Sequence, residues 1–198
     1  VQMRPVTYPG ITFSDITGHA NQQAIEALAQ RGIINGKSED SFDPDADMTR
    51  AEFATIVVQA LGLPVNGTAS AAFRDVAEQD WFCPYVNTAY AYGIVNGVSE
   101  TEFDPNGTIT REEAAVMTAR AAKLCGMDTE LDSTAARDIL AGFTDYVTAS
   151  DWAAASLAFC YYAQILPDDA MEILPQQAIT RAEIAQMLYN LLGSAKLL

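Results

Sequence analysis

A five-residue pattern occurs three times in this 198-residue chain, at residues 48–52, 109–113 and 179–183, which read MTRAE, ITREE and ITRAE. In each copy a Thr precedes a Glu by three residues and an apolar run with helical spacing follows, which predicts a helix that starts with a capping box. One such helix cannot bury its apolar face alone, but three can pack against one another. The repetition therefore predicts three copies of one helical unit around a shared core.

An Arg follows the capping Thr in every copy, as Arg50, Arg111 and Arg181. A cation at a helix N-terminus opposes the helix dipole, so this position calls for a compensating interaction. One explanation is an ion pair with a nearby Asp or Glu. The other is an anion bound jointly by the guanidinium and the unpaired N–H groups of the helix start. The sequence leaves both explanations open.

Other motifs extend the repeated unit in both directions. A Phe-x-Asp motif opens each copy, a first helix follows, and a Gly-rich turn at 32–36 and 93–97 precedes a Phe-Asp-Pro motif in copies one and two. We place repeat one at 12–64, repeat two at 72–125 and repeat three at 142–193. The links are 62–72, rich in small residues, and 126–142, which we expect to hold an extra short helix near 134–140. The second helices align by apolar positions such as Ile56, Met117 and Met187.

These patterns predict an all-α protein, with residues 1–198 in one pseudo-threefold domain. Its centre is expected to be a bundle of the three second helices, with the first helices outside. The formal charge of −15 argues against nucleic acid and anionic membranes as partners. No stretch is long enough for a membrane span. Because the chain starts at Val1 without a signal peptide, we expect a mature form or an excised fragment. The three Cys are an odd number in apolar surroundings, so buried thiols are expected.

The motifs together resemble the S-layer homology family in its three-repeat form, over roughly residues 12–193. The resemblance rests on F-x-D, the Trp before the first helix, G-I-[IV]-x-G, F-D-P and I-T-R-[AE]-E. It implies a three-pronged pseudo-trimer with the T-R-A-E helices at its centre. It also implies an extracellular module that anchors exported or S-layer protein cargo of the same original chain to the bacterial cell wall. The implied ligand is a pyruvylated cell-wall polysaccharide, bound in grooves between repeats.

Carried over to this chain, the resemblance implies a set of glycan-binding residues. They are Arg50, Arg111, Arg181, Trp81 and Trp152, with Gly36, Gly97, Asp15, Asp75 and Asp145 as weaker candidates. The planar guanidinium of Arg matches a carboxylate, and the flat face of Trp covers the C–H groups of a sugar. Core packing is the competing explanation for the two Trp, and a structural role is favoured for the three Asp.

The chain departs from the family pattern at several places. Ala20 replaces the Trp in repeat one, Gln164 and Asp168 replace the turn glycines in repeat three, and Glu112 replaces the usual Ala in repeat two. Since repeat two alone keeps Trp, both glycines and Arg, we expect the groove that contains Arg111 to be the main site. Glu112 is expected to weaken it by neutralising the guanidinium.

No catalytic constellation is apparent, so we expect neither an enzyme nor a cofactor or metal site. The lone His19 has no Cys or His at metal-ligand spacing. Residues 43–47 alternate Asp like a calcium loop, but Met48 and Ala54 stand where that loop needs Gly and Glu. The alternative to a glycan anchor is a protein–protein or self-assembly module on the same scaffold.

Overall fold

A computed structural model describes residues 1–65 and 72–198. Over these residues there are seven α-helices and no β-strand beyond isolated bridges, which confirms the predicted all-α fold. The helices are α1 (Gln22–Gln30), α2 (Arg50–Ala60), α3 (Cys83–Ala91), α4 (Arg111–Leu124), α5 (Ser133–Leu140), α6 (Asp151–Tyr162) and α7 (Arg181–Ser194). The predicted helix near 134–140 is α5. The predicted small-residue link falls largely on residues 66–71, outside the described residues.

The second helices α2, α4 and α7 all start at the predicted Thr caps. Thr49, Thr110 and Thr180 each accept the N–H of the Glu three residues on, at 3.1, 3.3 and 3.1 Å. The reciprocal half of the capping box is present at Thr180, whose N–H donates to Glu183 at 3.3 Å. The predicted box is thus complete there, while at Thr49 and Thr110 the Thr half forms the cap.

The helices form a closed ring in which each repeat packs its first helix on its neighbour. Each first helix packs on the second helix of the preceding repeat: α3 on α2, α6 on α4, and α1 on α7. At the centre α7 contacts both α2 and α4, and Ile56, Met117 and Met187 are buried. This confirms the predicted pseudo-threefold arrangement with the first helices outside. The extra helix α5 packs on α6.

The start of each second helix is completed by the loop of the next repeat. The N–H groups of Arg50 and Ala51 donate to the carbonyls of Gly107 and Pro105, at 2.9 and 3.0 Å. The same bonds recur from Arg111 to Gln177, Glu112 to Pro175, Arg181 to Ala46, and Ala182 to Pro44. These N–H groups have no partner inside their own helix, so the loops satisfy donors that would otherwise need water.

The thiols of the three Cys are unpaired, and none of the described helices is long and apolar enough to span a membrane. Cys83 and Cys160 are buried as predicted, whereas Cys125 is only partly buried. Burial raises the pKa of Cys160 to about 12, so this thiol stays protonated over the ordinary pH range.

Candidate functional site

The three Arg of the repeated motif form ion pairs between repeats. Arg50 pairs with Glu113, Arg111 pairs with Glu183, and Arg181 approaches Glu52 at 3.9 Å. In each case the Glu belongs to the capping motif of the next repeat around the ring. Each Arg Nε–H also donates to a carbonyl of that repeat, namely Phe103 at 2.9 Å, Ile173 at 2.8 Å and Phe42 at 3.0 Å. An ion pair therefore does compensate each Arg, and its partner lies in another repeat.

Two of these guanidinium groups are almost fully buried. Arg50 and Arg181 are 6% and 5% exposed, and they lie over the rings of Phe103 and Phe42 at 4.9 and 4.5 Å. Arg181 also donates to the carbonyl of Asn35 at 2.7 Å. Burial lowers the pKa of Arg181, and Glu52 is the largest of the acidic groups that oppose this shift. These contacts show that both side chains help to hold neighbouring repeats together.

The Asp of each Phe-x-Asp motif holds the following loop of its own repeat. Asp15 accepts the N–H groups of Phe42 and Asp43 at 2.9 and 2.7 Å, and Asp43 has a left-handed backbone with φ 59°. Asp75 and Asp145 accept the corresponding pairs from Phe103 and Asp104, and from Ile173 and Leu174. Burial opposes ionisation of Asp15, but these hydrogen bonds and one from Ser41 outweigh it and lower its pKa. The geometry agrees with the structural role that the sequence favoured.

Packing inside each repeat explains the glycines at positions 36 and 97. A Cβ at Gly36 would lie 2.4 Å from the ring of Phe13 and 2.5 Å from the carbonyl oxygen of Ser38. At Gly97 it would lie 2.3 Å from the carbonyl oxygen of Ser99. Real Cβ atoms do not approach this closely, so both positions need Gly whether or not a ligand is bound.

Two surface cavities bring most of the remaining candidates together. We call the first, of about 390 Å³, the Arg50 groove; it is lined by Arg50, Asn96, Gly97, Val98, Glu113, Val116, Met117, Arg120 and Trp152. The second, of about 360 Å³, is the Arg181 groove; it is lined by residues 33–37, Glu52, Thr55, Ile56, Gln59, Trp81, Tyr85 and Arg181. Each groove combines an Arg from one repeat, a Gly turn from the next and a Trp from the third.

The two Trp side chains are walls of these grooves and do not belong to the core. Trp81 and Trp152 are 61% and 62% exposed, so the core-packing explanation is wrong for both. Trp81 is supported from behind by Phe82, with ring centroids 5.4 Å apart in an edge-to-face contact. An exposed indole beside a guanidinium offers a flat apolar face next to a donor for an anion.

The expected grouping of Arg111 with the Trp and glycines of its own repeat is wrong. Trp81 lines the Arg181 groove and Gly97 lines the Arg50 groove, and Arg111 lines neither. The reason is that each first helix packs on the preceding repeat, so the motifs of one repeat face different neighbours. Arg111 instead lies near Tyr161, whose pKa is raised by burial and lowered in part by this guanidinium.

Glu112 does not have the role that its position beside Arg111 suggested. The side chain is 3% exposed, and its carboxylate accepts the N–H and the hydroxyl of Ser150 at 3.0 and 2.8 Å. Gln176 donates to it as well, at 3.3 Å. Ser150 immediately precedes α6, which carries Trp152 in its first turn. Glu112 thus fixes the start of the helix that presents one of the groove aromatics.

Arg120 is the groove residue that the sequence reasoning missed. It lies on α4 and lines the Arg50 groove, where its Nη1 donates to the carbonyl of Ile94 at 3.4 Å. With the Asn96 amide oriented to satisfy both of its polar atoms, Nη2 donates to the Asn96 side-chain oxygen at 3.0 Å. One indication of it is present in the sequence: Arg120 is a cation at a position where repeats one and three hold the uncharged residues Gln59 and Asn190.

Across residues 1–65 and 72–198, no group of three or more His, Cys, Asp and Glu side chains is placed to hold a metal ion.

The sequence profile of the S-layer homology domain matches residues 12–54, 72–115 and 142–185, which is more than half of the chain. The chain belongs to the S-layer homology family. Domains of this family anchor S-layer and other cell-surface proteins to the cell wall, and they are not themselves catalytic.

Full-length relatives include both S-layer proteins and enzymes. The chain is 30% identical over 185 residues to the S-layer protein sap of Bacillus anthracis, which covers 93% of this chain and 22% of that protein. It is 32% identical over 182 residues to an amylopullulanase of Thermoanaerobacterium thermosulfurigenes, covering 91% of this chain and 9% of the enzyme. An exoglucanase XynX of Acetivibrio thermocellus is 31% identical over 183 residues, covering 92% and 16%. This chain thus spans less than a quarter of the length of these three relatives.

Proposed function

We propose that this domain binds an acidic, pyruvylated polysaccharide of the cell wall in the Arg50 groove and the Arg181 groove. The observation that carries the proposal is the pair of exposed Trp side chains, each in a cavity of 360–390 Å³ with a buried guanidinium. The indole would cover the apolar face of a sugar ring, and an Arg side chain of the same groove would donate to the carboxylate of its pyruvyl group.

The charges that line the two grooves support an anionic ligand. The chain as a whole carries a formal charge of −15. The Arg50 groove nevertheless contains Arg50 and Arg120 against Glu113 alone. In the Arg181 groove the lining cations Arg181 and Lys37 face Glu52, and Asp43 and Asp15 also act on Arg181, so the surplus is clearest in the Arg50 groove. Because screening confines electrostatic interactions to about 8 Å at physiological salt, such local surpluses can bind an anion despite the acidic domain.

We assign Arg111 to the scaffold in this proposal. Its guanidinium is engaged by Glu183 and by the carbonyl of Ile173. The aligned Trp position around the ring holds Ala20, and the aligned turn position holds Asp168. A third groove of this composition would lack the aromatic wall and would place a carboxylate near an acidic sugar.

The matched segment makes up 9% of the amylopullulanase, 16% of the exoglucanase XynX and 22% of the S-layer protein sap. We propose that this domain likewise fixes a longer exported polypeptide to the cell surface, by non-covalent binding that needs no cofactor.

Co-sedimentation with purified cell walls tests the proposal. The parent domain should bind native walls and fail to bind walls from which the secondary polymer has been extracted. The double variant Trp81→Ala/Trp152→Ala should lose at least tenfold in affinity, since each lost aromatic contact is worth about 0.5–1.5 kcal/mol beyond its buried area. The matched control is Tyr162→Ala, an aromatic that is 71% exposed and lines neither groove. Equal binding of parent and double variant, or equal binding to extracted walls, would favour the protein–protein alternative.

A further inference from the structure

We infer that Arg120 makes the principal contact with the acidic group of a ligand in the Arg50 groove, and that Arg50 mainly holds the groove together. The inference rests on the proposed function and deepens it, since it names the side chain that gives this groove its preference for a sugar carboxylate. Neither the repeated motif nor the family match singles out Arg120, which stands outside residues 72–115 of its repeat.

The donors of Arg50 are largely engaged by the protein. Its Nε–H bonds to the carbonyl of Phe103, Nη1 pairs with Glu113, and Nη2 donates to the carbonyl of Asn96 at 3.3 Å. The guanidinium also lies over the Phe103 ring and is 6% exposed as a residue. A ligand carboxylate that bound Arg50 strongly would have to compete with Glu113 for it, and the two anions would repel each other.

Arg120 has no such competitor. In the described part of the chain, no Asp or Glu oxygen lies within 4.0 Å of its guanidinium, and its bond to Ile94 is long at 3.4 Å. Half-burial lowers the pKa of Arg120, yet a guanidinium keeps its proton at any physiological pH. A partly desolvated cation without a carboxylate partner gains more from an incoming anion than one already paired.

The position of Arg120 on α4 separates it from the negative charge in the groove. Glu113, Met117 and Arg120 stand at i, i+4 and i+7, so they share one face of the helix. Seven residues of helix place Arg120 about 10 Å along the axis from Glu113. A sugar carboxylate at Arg120 would thus lie beyond most of the screened repulsion from Glu113, with Met117 between the two residues on the same helix face.

The chain contains two Trp, one in each groove, so intrinsic fluorescence can report each groove separately. In the Trp81→Phe background, the remaining Trp152 reports the Arg50 groove. This protein would be titrated with pyruvylated N-acetylmannosamine and, as a neutral match, with unmodified N-acetylmannosamine. Arg120→Gln, which installs the residue found at position 59, should weaken binding of the pyruvylated sugar about 10- to 100-fold. Binding of the neutral sugar should change less than twofold, and Arg120→Lys should give an intermediate affinity for the acidic sugar.

The reciprocal substitution strengthens the test. In the Trp152→Phe background, Trp81 reports the Arg181 groove, and Gln59→Arg should tighten binding of the pyruvylated sugar there. Equal affinity of Arg120→Gln and its parent for the pyruvylated sugar overturns this inference while the proposed function stands. Equal weakening for both sugars also overturns it, because it would indicate a structural role. If neither single-Trp parent binds the pyruvylated sugar, the proposed function is refuted, and this inference is refuted with it.

Discussion

Replacing Glu112 by Ala is expected to destabilise the domain by about 3 kcal/mol, although it gives repeat two the residue that both other repeats carry, as Ala51 and Ala182. Substitution towards such a consensus usually stabilises a protein. Here the carboxylate is 3% exposed and accepts two bonds from Ser150 and one from Gln176. A hydrogen bond to a charged group contributes about 1.5–3 kcal/mol, and an anion near a helix N-terminus adds about 0.3–1 kcal/mol.

Urea unfolding followed by circular dichroism measures this cost. For a chain of this size, about 3 kcal/mol also corresponds to a fall of roughly 10 °C in the melting temperature. Glu112→Gln keeps one acceptor oxygen and should lose less than half as much. Glu100→Ala, which removes an exposed carboxylate, controls for the change in net charge and should leave the midpoint unchanged. An unfolding midpoint for Glu112→Ala at or above that of the parent would refute the reasoning.

Because Ser150 precedes the helix of Trp152, the same variant should bind cell walls more weakly, the opposite of what the sequence suggested.

Three other outcomes follow from the structure. Gly97→Ala should cost about 1–3 kcal/mol in urea unfolding, because its Cβ would meet the Ser99 carbonyl oxygen at 2.3 Å, whereas Gly142→Ala, with a nearest contact of 3.7 Å, should be close to neutral. Arg181→Ala should cost about 1–3 kcal/mol, since it leaves the carbonyl of the buried Phe42 without its donor; a folded variant of parental stability would contradict this. The raised pKa of Cys160, about 12 against 9.0, means that its stabilising effect is complete below pH 9 and lost as pH rises towards 12. Stability should therefore fall over that range, and less so in Cys160→Ala.

Local chemistry explains what could be predicted from the sequence. The Thr caps, the short helix α5 and the burial of Ile56, Met117 and Met187 depend on residues close to one another in the chain or on one helix face. Such features appear in the sequence as fixed spacings. The three repeats also revealed a shared core, because one apolar face recurs in each.

Partners across repeats could not be predicted in the same way. The motif shows that Arg111 and Trp81 belong to one repeat, but not that α3 packs on the preceding repeat and takes Trp81 away from Arg111. Glu112 looked like a neighbour of Arg111 because it is adjacent in sequence, while its bonds reach Ser150, 38 residues away. Arg120 was missed because a residue present in one repeat only leaves no periodic pattern.

Contacts between the first and last repeats can form only late in the synthesis of the chain. The carbonyl of Phe42 receives the Nε–H of Arg181, 139 residues later in the chain. At a synthesis rate of about 5–20 residues per second, the loop of repeat one waits on the order of ten seconds for the helix that completes it. In an open solenoid, repeats can be added or removed one at a time, because each contacts only its neighbours. This ring has no free end, so a two-repeat fragment would leave one helix start and one loop without partners. We therefore expect three repeats to be the smallest cooperative unit, and a fourth could join only by breaking a junction between repeats three and one.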